Sequence, residues 1–363
     1  MSFDRVILCI MALFAILGGI DRILGSRFGL GKAFEEGIST MGPLALSMVG
    51  IMVLSPVLAT LLTPMVTPIF VLMGSDPAVF AGSILALDMG GAPLAAELAL
   101  TPDGARYGGI LIGSMLGATV SFTVPFAMGT LSPADRLAAA KGILCGVVTI
   151  PAGALAGGVL MGLPLGSLLL NTLPVFLLSL LIALGLWFAE GIMIKAFSIF
   201  GRFITALGTL GLMAAGTERI TGHILIPGLG DLSDAFVVVG EIALVLAGAL
   251  PLLEVIKRIL GRPMGALGRL LGINESAVAG LLATLANSIP TFAILPQMDR
   301  RGKLLNTAFA VSGAFAFGDH LAFAAGFEPT TVGPMIAGKL TAGILAVILA
   351  FGIGRKEEED ATE

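Results

Sequence analysis

From residue 142 to residue 189 the chain runs for 48 residues without a charged side chain. A second charge-free run, residues 37–75, is 39 residues long. A hydrocarbon layer roughly 30 Å thick takes ~20 helical residues per pass, so each run is long enough for two passes. No water reaches backbone amides at that depth, which leaves helices and closed barrels as the only spanning structures. Barrel strands alternate apolar and polar residues, and these runs do not. The chain is therefore expected to be all-α, a polytopic membrane protein. Composition agrees, because 12% of the 363 residues are charged, against ~25% in ordinary soluble domains.

The same composition excludes other classes. The 50 glycines lie among apolar runs and not in polar tracts, so the chain is not disordered. It has no basic patch with interleaved aromatics, so nucleic acid is not an expected partner. Cys9 and Cys145 fall inside apolar segments and suggest neither a disulfide nor a metal site. The opening stretch MSFDRVILCIMALFAILGG lacks a net positive leader and reads as the first membrane helix, not a removed signal. The stretch KEEEDATE at 356–363 reads as a solvated acidic tail.

Hydropathy divides the chain into eleven apolar segments, near 5–24, 41–62, 78–98, 107–129, 137–160, 166–189, 193–216, 235–256, 276–297, 303–326 and 332–353. Two halves match at an offset of 197 to 198: GGIDRILG at 18–25 with AGTERITG at 215–222, and GPLALSMVG at 42–50 with GEIALVLAG at 240–248. The same offset brings Ala81 and Gly82 onto Ala279 and Gly280, and Lys141 onto Lys339. The expected organisation is a first membrane repeat at 1–164, a linking helix at 165–190, a second repeat at 191–354 and a tail at 355–363.

Charge then bears on the threading. With all eleven segments crossing, the 20 Lys and Arg divide evenly and give no orientation. If the third and ninth segments are re-entrant, 16 share one face, and only Arg5, Arg106, Arg219 and Lys339 take the other. That asymmetry is what the positive-inside rule expects. It leaves about 9 crossings and two broken segments, and makes the repeats inverted. Each re-entrant segment carries an interruption, Asp88-Met89-Gly90-Gly91-Ala92-Pro93 in one and Asn287-Ser288-Ile289-Pro290 in the other. Paired broken segments of this kind point to a binding site near the bilayer midplane.

The candidate site residues follow from the cost of polar groups in lipid. Asp88, flanked by a break that Gly90 and Gly91 permit, reads as a counter-charge for a cation; otherwise it caps the second half-helix or pairs internally. Asn287 and Ser288 offer donors and acceptors at the second break, or act as polar glue between helices. Asp319 and His320 adjoin on one segment, where helical geometry turns them about 100° apart. One would face a cavity and the other orient a neighbour, His320 serving as a proton carrier, unless the pair locks helices. Asn306 and Ser312 would line the same cavity. Glu97 reads as a solvated rim residue, and Glu241 as the opening of a helix. Gly109, Gly113 and Gly117 have small-xxx-small spacing and read as packing. With few basic residues deep in the membrane region, the set suits a small polar cation better than an anion, and the 21 Phe offer ring faces for it.

Several of these stretches carry a resemblance. ALDMGGAPLAAEL at 86–98 and LLATLANSIPTFAILPQMDRRGKLLNTAFAVSGAFAFGDHLAFAAG at 281–326 resemble the signatures of the EutH-type ethanolamine transporter family. IDRIL at 20–24, FEEG at 34–37, PLALSMVGIMVLSPVLA at 43–59, SPADR at 132–136 and IPGL at 226–229 extend the likeness over nearly the whole chain. The resemblance implies an inner-membrane permease for ethanolamine. It implies no particular site residues. The chain's own residues point to no cofactor, metal or catalytic residue, with ethanolamine and the bilayer as partners and a homo-oligomer as a candidate assembly. The alternatives are a carrier for another small amine or amino alcohol, and an enzyme acting on lipid head groups. The second lacks a nucleophile–base pattern or a metal cluster. A membrane scaffold is a third, disfavoured by short loops.

Overall fold

Proline and glycine divide the long apolar runs into helices. A computed structural model describes residues 3–360, with side chains for all but 3, 133–134, 260–264, 267 and 355–360. Every regular element among the described residues is helical. The first half holds α1 (Phe3–Ile23), α2 (Leu30–Leu72), the short pair α3 (Ala78–Ile84) and α4 (Gly91–Leu98), then α5 (Pro102–Thr130) and α6 (Pro133–Leu160). A linking helix, α7 (Leu165–Phe188), follows. The second half holds α8 (Glu190–Thr221), α9 (Leu232–Leu271), the short pair α10 (Glu275–Ala286) and α11 (Ser288–Ile294), then α12 (Arg300–Ser312), α13 (Asp319–Phe327) and α14 (Val332–Asp360). Eight helices are long and apolar enough to cross a membrane: α1, α2, α5 to α9 and α14. On α7, Leu173, Phe176, Leu177, Leu180 and Leu184 are exposed along one face. That stripe costs nothing against lipid tails.

The two halves are interlocked. α1 of the first half packs on α9 of the second, α2 packs on α8, and α6 and α14 lie against each other at the centre. Close approach comes from glycine. A Cβ on Gly50 would overlap the Gly208 carbonyl oxygen, and one on Gly153 would overlap that of Gly338.

Each short pair is a hairpin. α3 packs on α4 and α10 on α11. The feet of the first hairpin are tied by one carboxylate. Asp76 accepts hydrogen bonds from the backbone N–H of Ala78 (3.0 Å), Leu100 (3.2 Å) and Thr101 (3.0 Å), and from Thr101 Oγ1 (2.9 Å). Asn171 Oδ1 on α7 takes the Asp76 N–H at 2.7 Å. In the second hairpin, Asn274 Nδ2 donates to the Gln297 carbonyl at 2.9 Å. Each segment thus begins and ends at one place. Half-helices of 7 and 8 residues are also too short to cross singly.

Three expectations change. The tenth segment, 303–326, was expected to cross unbroken; instead α12 ends at Ser312 and α13 starts at Asp319, with turns at 313–318 between them. Phe315 there has a φ of 61°. Glu241 does not open a helix, because Asp231 caps α9 ten residues earlier and Glu241 sits inside it, exposed. Lys339, counted above with the sparse face, is inside the apolar part of α14 and 1% exposed. Glu97 is exposed, as a rim residue should be. The acidic tail 355–363 lies outside the described residues, apart from a helical backbone to Asp360.

Asp76→Ala should unfold at a lower temperature than the unsubstituted protein in detergent. Each buried donor left unpaired costs about 1–3 kcal/mol. An unchanged melting temperature would show that the carboxylate does not hold the hairpin feet.

Candidate functional site

The first break is built from residues that tolerate it. Leu85 and Ala86 are extended, Leu87–Met89 forms one tight turn, and Gly90 caps α4 at a φ of 86°. A side chain at Gly90 would be strained at that φ and would run into Ile51, so glycine is required there. A Cβ on Gly91 would stand 2.5 Å from the Leu85 carbonyl oxygen. The freed backbone finds partners inside the protein. Ser121 Oγ on α5 accepts from the Ala86 N–H at 3.0 Å and donates to the Gly117 carbonyl at 2.7 Å. Gly109, Gly113 and Gly117 all face this hairpin, against Ala92, Leu87 and Leu85 respectively. Their spacing therefore serves packing, against a broken segment.

The second break is completed by the break in the tenth segment. Asn287 is extended, and its Oδ1 caps α11 by accepting from the Ile289 N–H at 2.8 Å. The Thr284 and Leu285 carbonyls accept from the N–H groups of Phe315 (3.0 Å) and Phe317 (2.8 Å). A Cβ on Gly318 would overlap the Ala286 carbonyl oxygen, so the two breaks touch at glycine. Left-handed backbone at a bulky residue such as Phe315 costs about 1–3 kcal/mol and persists only where surroundings hold it.

These breaks meet at one cavity of about 590 Å³. Asp88, Met89, Asn287, Asp319 and His320, none of them exposed, line its inner end, with Phe122 and Phe315. The phenyl rings of Phe122 and Phe315 meet edge to face, centroids 5.7 Å apart. Toward its other end the wall is formed by Glu36, Glu254 and Lys257. α2 passes the cavity near its start, at residues 33–47, and reaches the first hairpin only at its far end. α9 passes it at residues 250–257 and hands on to the second hairpin soon after. The hairpins therefore enter from opposite ends of the molecule and bring their breaks together.

Asp88 is the centre of this arrangement. It neither caps α4 nor makes a close ion pair: its Oδ1 is buried without a hydrogen-bond partner, and His320 Nε2 stands 3.6 Å away. The other ring nitrogen of His320, Nδ1, is 3.0 Å from Lys339 Nζ, which donates to the Ser114 carbonyl at 2.5 Å. Asp319 and His320 both line the cavity, at the first turn of α13. They remain about 100° apart on α13, but the helix begins there, and with no preceding helical turn both reach the cavity wall.

Of the other expected residues, Gly90 and Gly91 shape the break without lining the cavity. Ser288 is buried behind Asn287 with its Oγ unpaired. Asn306 stands apart, because its Nδ2 donates to the Ala277 and Gly302 carbonyls (2.9 Å each) and ties α12 to α10. Ser312 is likewise buried outside the lining. Lys339, Glu36, Glu254, Phe122 and Phe315 were not singled out from the sequence. Lys339 had a signal, being a lone basic residue inside an apolar segment. The described residues hold no group of three or more His, Cys, Asp or Glu placed for a metal.

A smaller hollow of about 220 Å³ lies at the opposite end, lined by Ala92, Arg106, Ile110, Phe327 and Glu328 among others. One buried apolar cluster includes Leu87, next to Asp88, and Ala92 and Ile110 on the wall of this hollow, with Phe323, Val332 and Met335.

Comparison with known proteins gives a consistent picture. The family described as "Ethanolamine utilisation protein, EutH" matches residues 3–353. "Probable ethanolamine permease EutH" of Listeria monocytogenes is 50% identical, over 97% of this chain and 94% of its own length. The protein of the same name in Escherichia coli is 42% identical, over 100% of this chain and 98% of its own. "Uncharacterized protein YxeR" of Bacillus subtilis is 43% identical, over 96% and 95%. No solved structure matches the chain.

Ser121→Ala leaves the Ala86 N–H without its acceptor at membrane depth. It should destabilise the protein by about 1–3 kcal/mol, read as a lower melting temperature in detergent. An unchanged transition would mean that the break is held by other contacts.

Proposed function

The chain belongs to the EutH family of ethanolamine utilisation proteins and is a multi-pass protein of the bacterial inner membrane, and from that premise we propose that it is a permease for ethanolamine in its protonated form. The observation that carries this reading is Asp88: a carboxylate at a helix break, on the wall of a cavity, with a buried oxygen that has no hydrogen-bond partner. A negative charge at that depth is costly, and a cationic guest offsets the cost.

The ammonium of ethanolamine sits beside Asp88, within the field of Asp319. Phe122 and Phe315 line the same cavity and offer the cation aromatic contact. Asn287 uses Oδ1 for its cap and leaves Nδ2 to donate to the substrate hydroxyl. Glu36 and Glu254 toward the cavity mouth raise the local concentration of cations. The mouth lies at the end of the molecule that carries Lys32, Lys257 and Arg258. By the positive-inside rule this is the cytoplasmic end, and the arrangement is inward-facing. On the other side, the cluster of Leu87, Ala92, Ile110, Phe323 and Met335 forms the closed gate. Rocking of one repeat against the other opens that gate and closes the first mouth, so the two breaks stay together while access alternates. The repeats meet through glycine contacts between backbones, which suit such a sliding motion. The ethanolamine molecule itself is carried unchanged.

Asp88→Asn keeps the size of the side chain and removes its charge. It should abolish uptake of labelled ethanolamine at acidic external pH, where little neutral amine is present to cross the bilayer unaided, while the variant inserts and folds normally. Uptake at the unsubstituted rate under limiting ethanolamine would remove Asp88 from the mechanism.

A further inference from the structure

Lys339 has no role in the amine site, yet a lysine buried at its depth is costly to keep. It is buried in the apolar part of α14, outside the cavity wall, with His320 between it and the cavity. Its Nζ has two acceptors, the Ser114 carbonyl at 2.5 Å and His320 Nδ1 at 3.0 Å. A charged ammonium has three hydrogens, so one of them has no acceptor there. While Lys339 is charged Nδ1 is the acceptor, which requires the ring proton on Nε2, toward Asp88. The chain of contacts from cavity to interior is thus Asp88, His320, Lys339, Ser114.

From this geometry we infer that Lys339 and His320 form a proton store that gives up one proton when an ammonium substrate settles at Asp88. The inference rests on the reading of Asp88 as the amine site and adds the ion that is exchanged there. In the empty carrier the Lys339 ammonium balances Asp88 through the ring. When a second cation reaches Asp88, the two positive charges repel across a dry interior. An Nζ–H bond then breaks, its electron pair stays on the lysine nitrogen, and the proton bonds to Nδ1. The ring releases its Nε2 proton to a water molecule in the cavity, so one proton enters the pair and one leaves it. Afterwards Nζ accepts from Nδ1–H and still donates to Ser114, so both heavy-atom contacts survive. Nε2 no longer donates toward Asp88, whose oxygens are left to the substrate.

The surrounding charges are compatible with this. Four carboxylates share the cavity with His320: Asp88 and Asp319, with Glu36 and Glu254 toward the mouth beside Lys257. On the helices packed against α14, three of the ionisable groups have side-chain partners of their own. Arg106 bonds Asp103 at 2.5 Å, Lys303 bonds Asp135 at 2.6 Å and the Tyr107 hydroxyl bonds Thr172 at 2.7 Å. The store therefore exchanges protons with the cavity, through His320. The predicted stoichiometry is one substrate cation in for one proton out, an electroneutral exchange.

Titration calorimetry of the purified full chain tests this. Ethanolamine hydrochloride is titrated near neutral pH into buffers of different ionisation enthalpy. Binding heat should vary with buffer ionisation enthalpy with the slope of one proton released per ethanolamine bound. Lys339→Met should still bind and give a slope near zero. Binding to the unsubstituted protein with no buffer dependence overturns the proton store alone, whether or not the variant folds. A variant that releases as many protons as the parent also overturns it, by placing the source elsewhere. No binding heat in any buffer overturns the amine site itself, and this inference with it.

Discussion

Backbone that leaves the helix inside a membrane must find its hydrogen bonds within the protein, and the whole site depends on how this chain meets that demand. Where α3 stops, the Ala86 N–H goes to Ser121 of the neighbouring helix. Where α10 stops, the freed carbonyls of Thr284 and Leu285 go to a third broken segment, through Phe315 and Phe317. Glycines at 90, 91, 117 and 318 let these strands of backbone approach without a Cβ in the way. Unwound chain at membrane depth is the one place where a small polar molecule meets polar atoms and not lipid tails.

On that frame the protein holds four ionisable side chains together: Asp88, Asp319, His320 and Lys339. Burying them singly would be prohibitive, and burying them as a closed network of short ion pairs would leave nothing for a ligand. The observed arrangement is intermediate. The basic groups bond each other at 3.0 Å, while the nearest carboxylate oxygen stays at 3.6 Å and without a hydrogen bond. A site that must both take and release its cargo needs this incomplete satisfaction, since full pairing would raise the barrier to binding and an isolated charge would hold the guest too tightly.

Much of this was legible in the sequence. Charge-free runs specify membrane helices because lipid leaves so few alternatives. The two interruptions stood out because Gly-Gly-Ala-Pro and Asn-Ser-Ile-Pro are poor helix formers inside apolar segments, and both are breaks in the structure. The break at 313–318 was not legible. Its residues, Gly-Ala-Phe-Ala-Phe-Gly, carry no proline or polar signal, and the turn is imposed by pairing with Thr284 and Leu285, a contact between segments. For the same reason Asp319 and His320 could not be placed together on one cavity wall. Asn306 was placed toward the cavity because its segment leads there, but rotation about a helix is set by packing, and packing turned it to Ala277. Lys339 was visible as a charge in oil, and a loop-by-loop tally of positive residues hid it.

The most direct measurement is an experimental structure of the protein with saturating ethanolamine at a pH where the amine is charged. The account predicts density for one small molecule in the inner end of the cavity, its nitrogen within hydrogen-bond distance of Asp88 and its hydroxyl toward Asn287. Density lodged elsewhere in the fold, or a cavity that stays free of ethanolamine while the protein demonstrably binds it, would contradict the claim that the broken hairpins and their carboxylate form the substrate site.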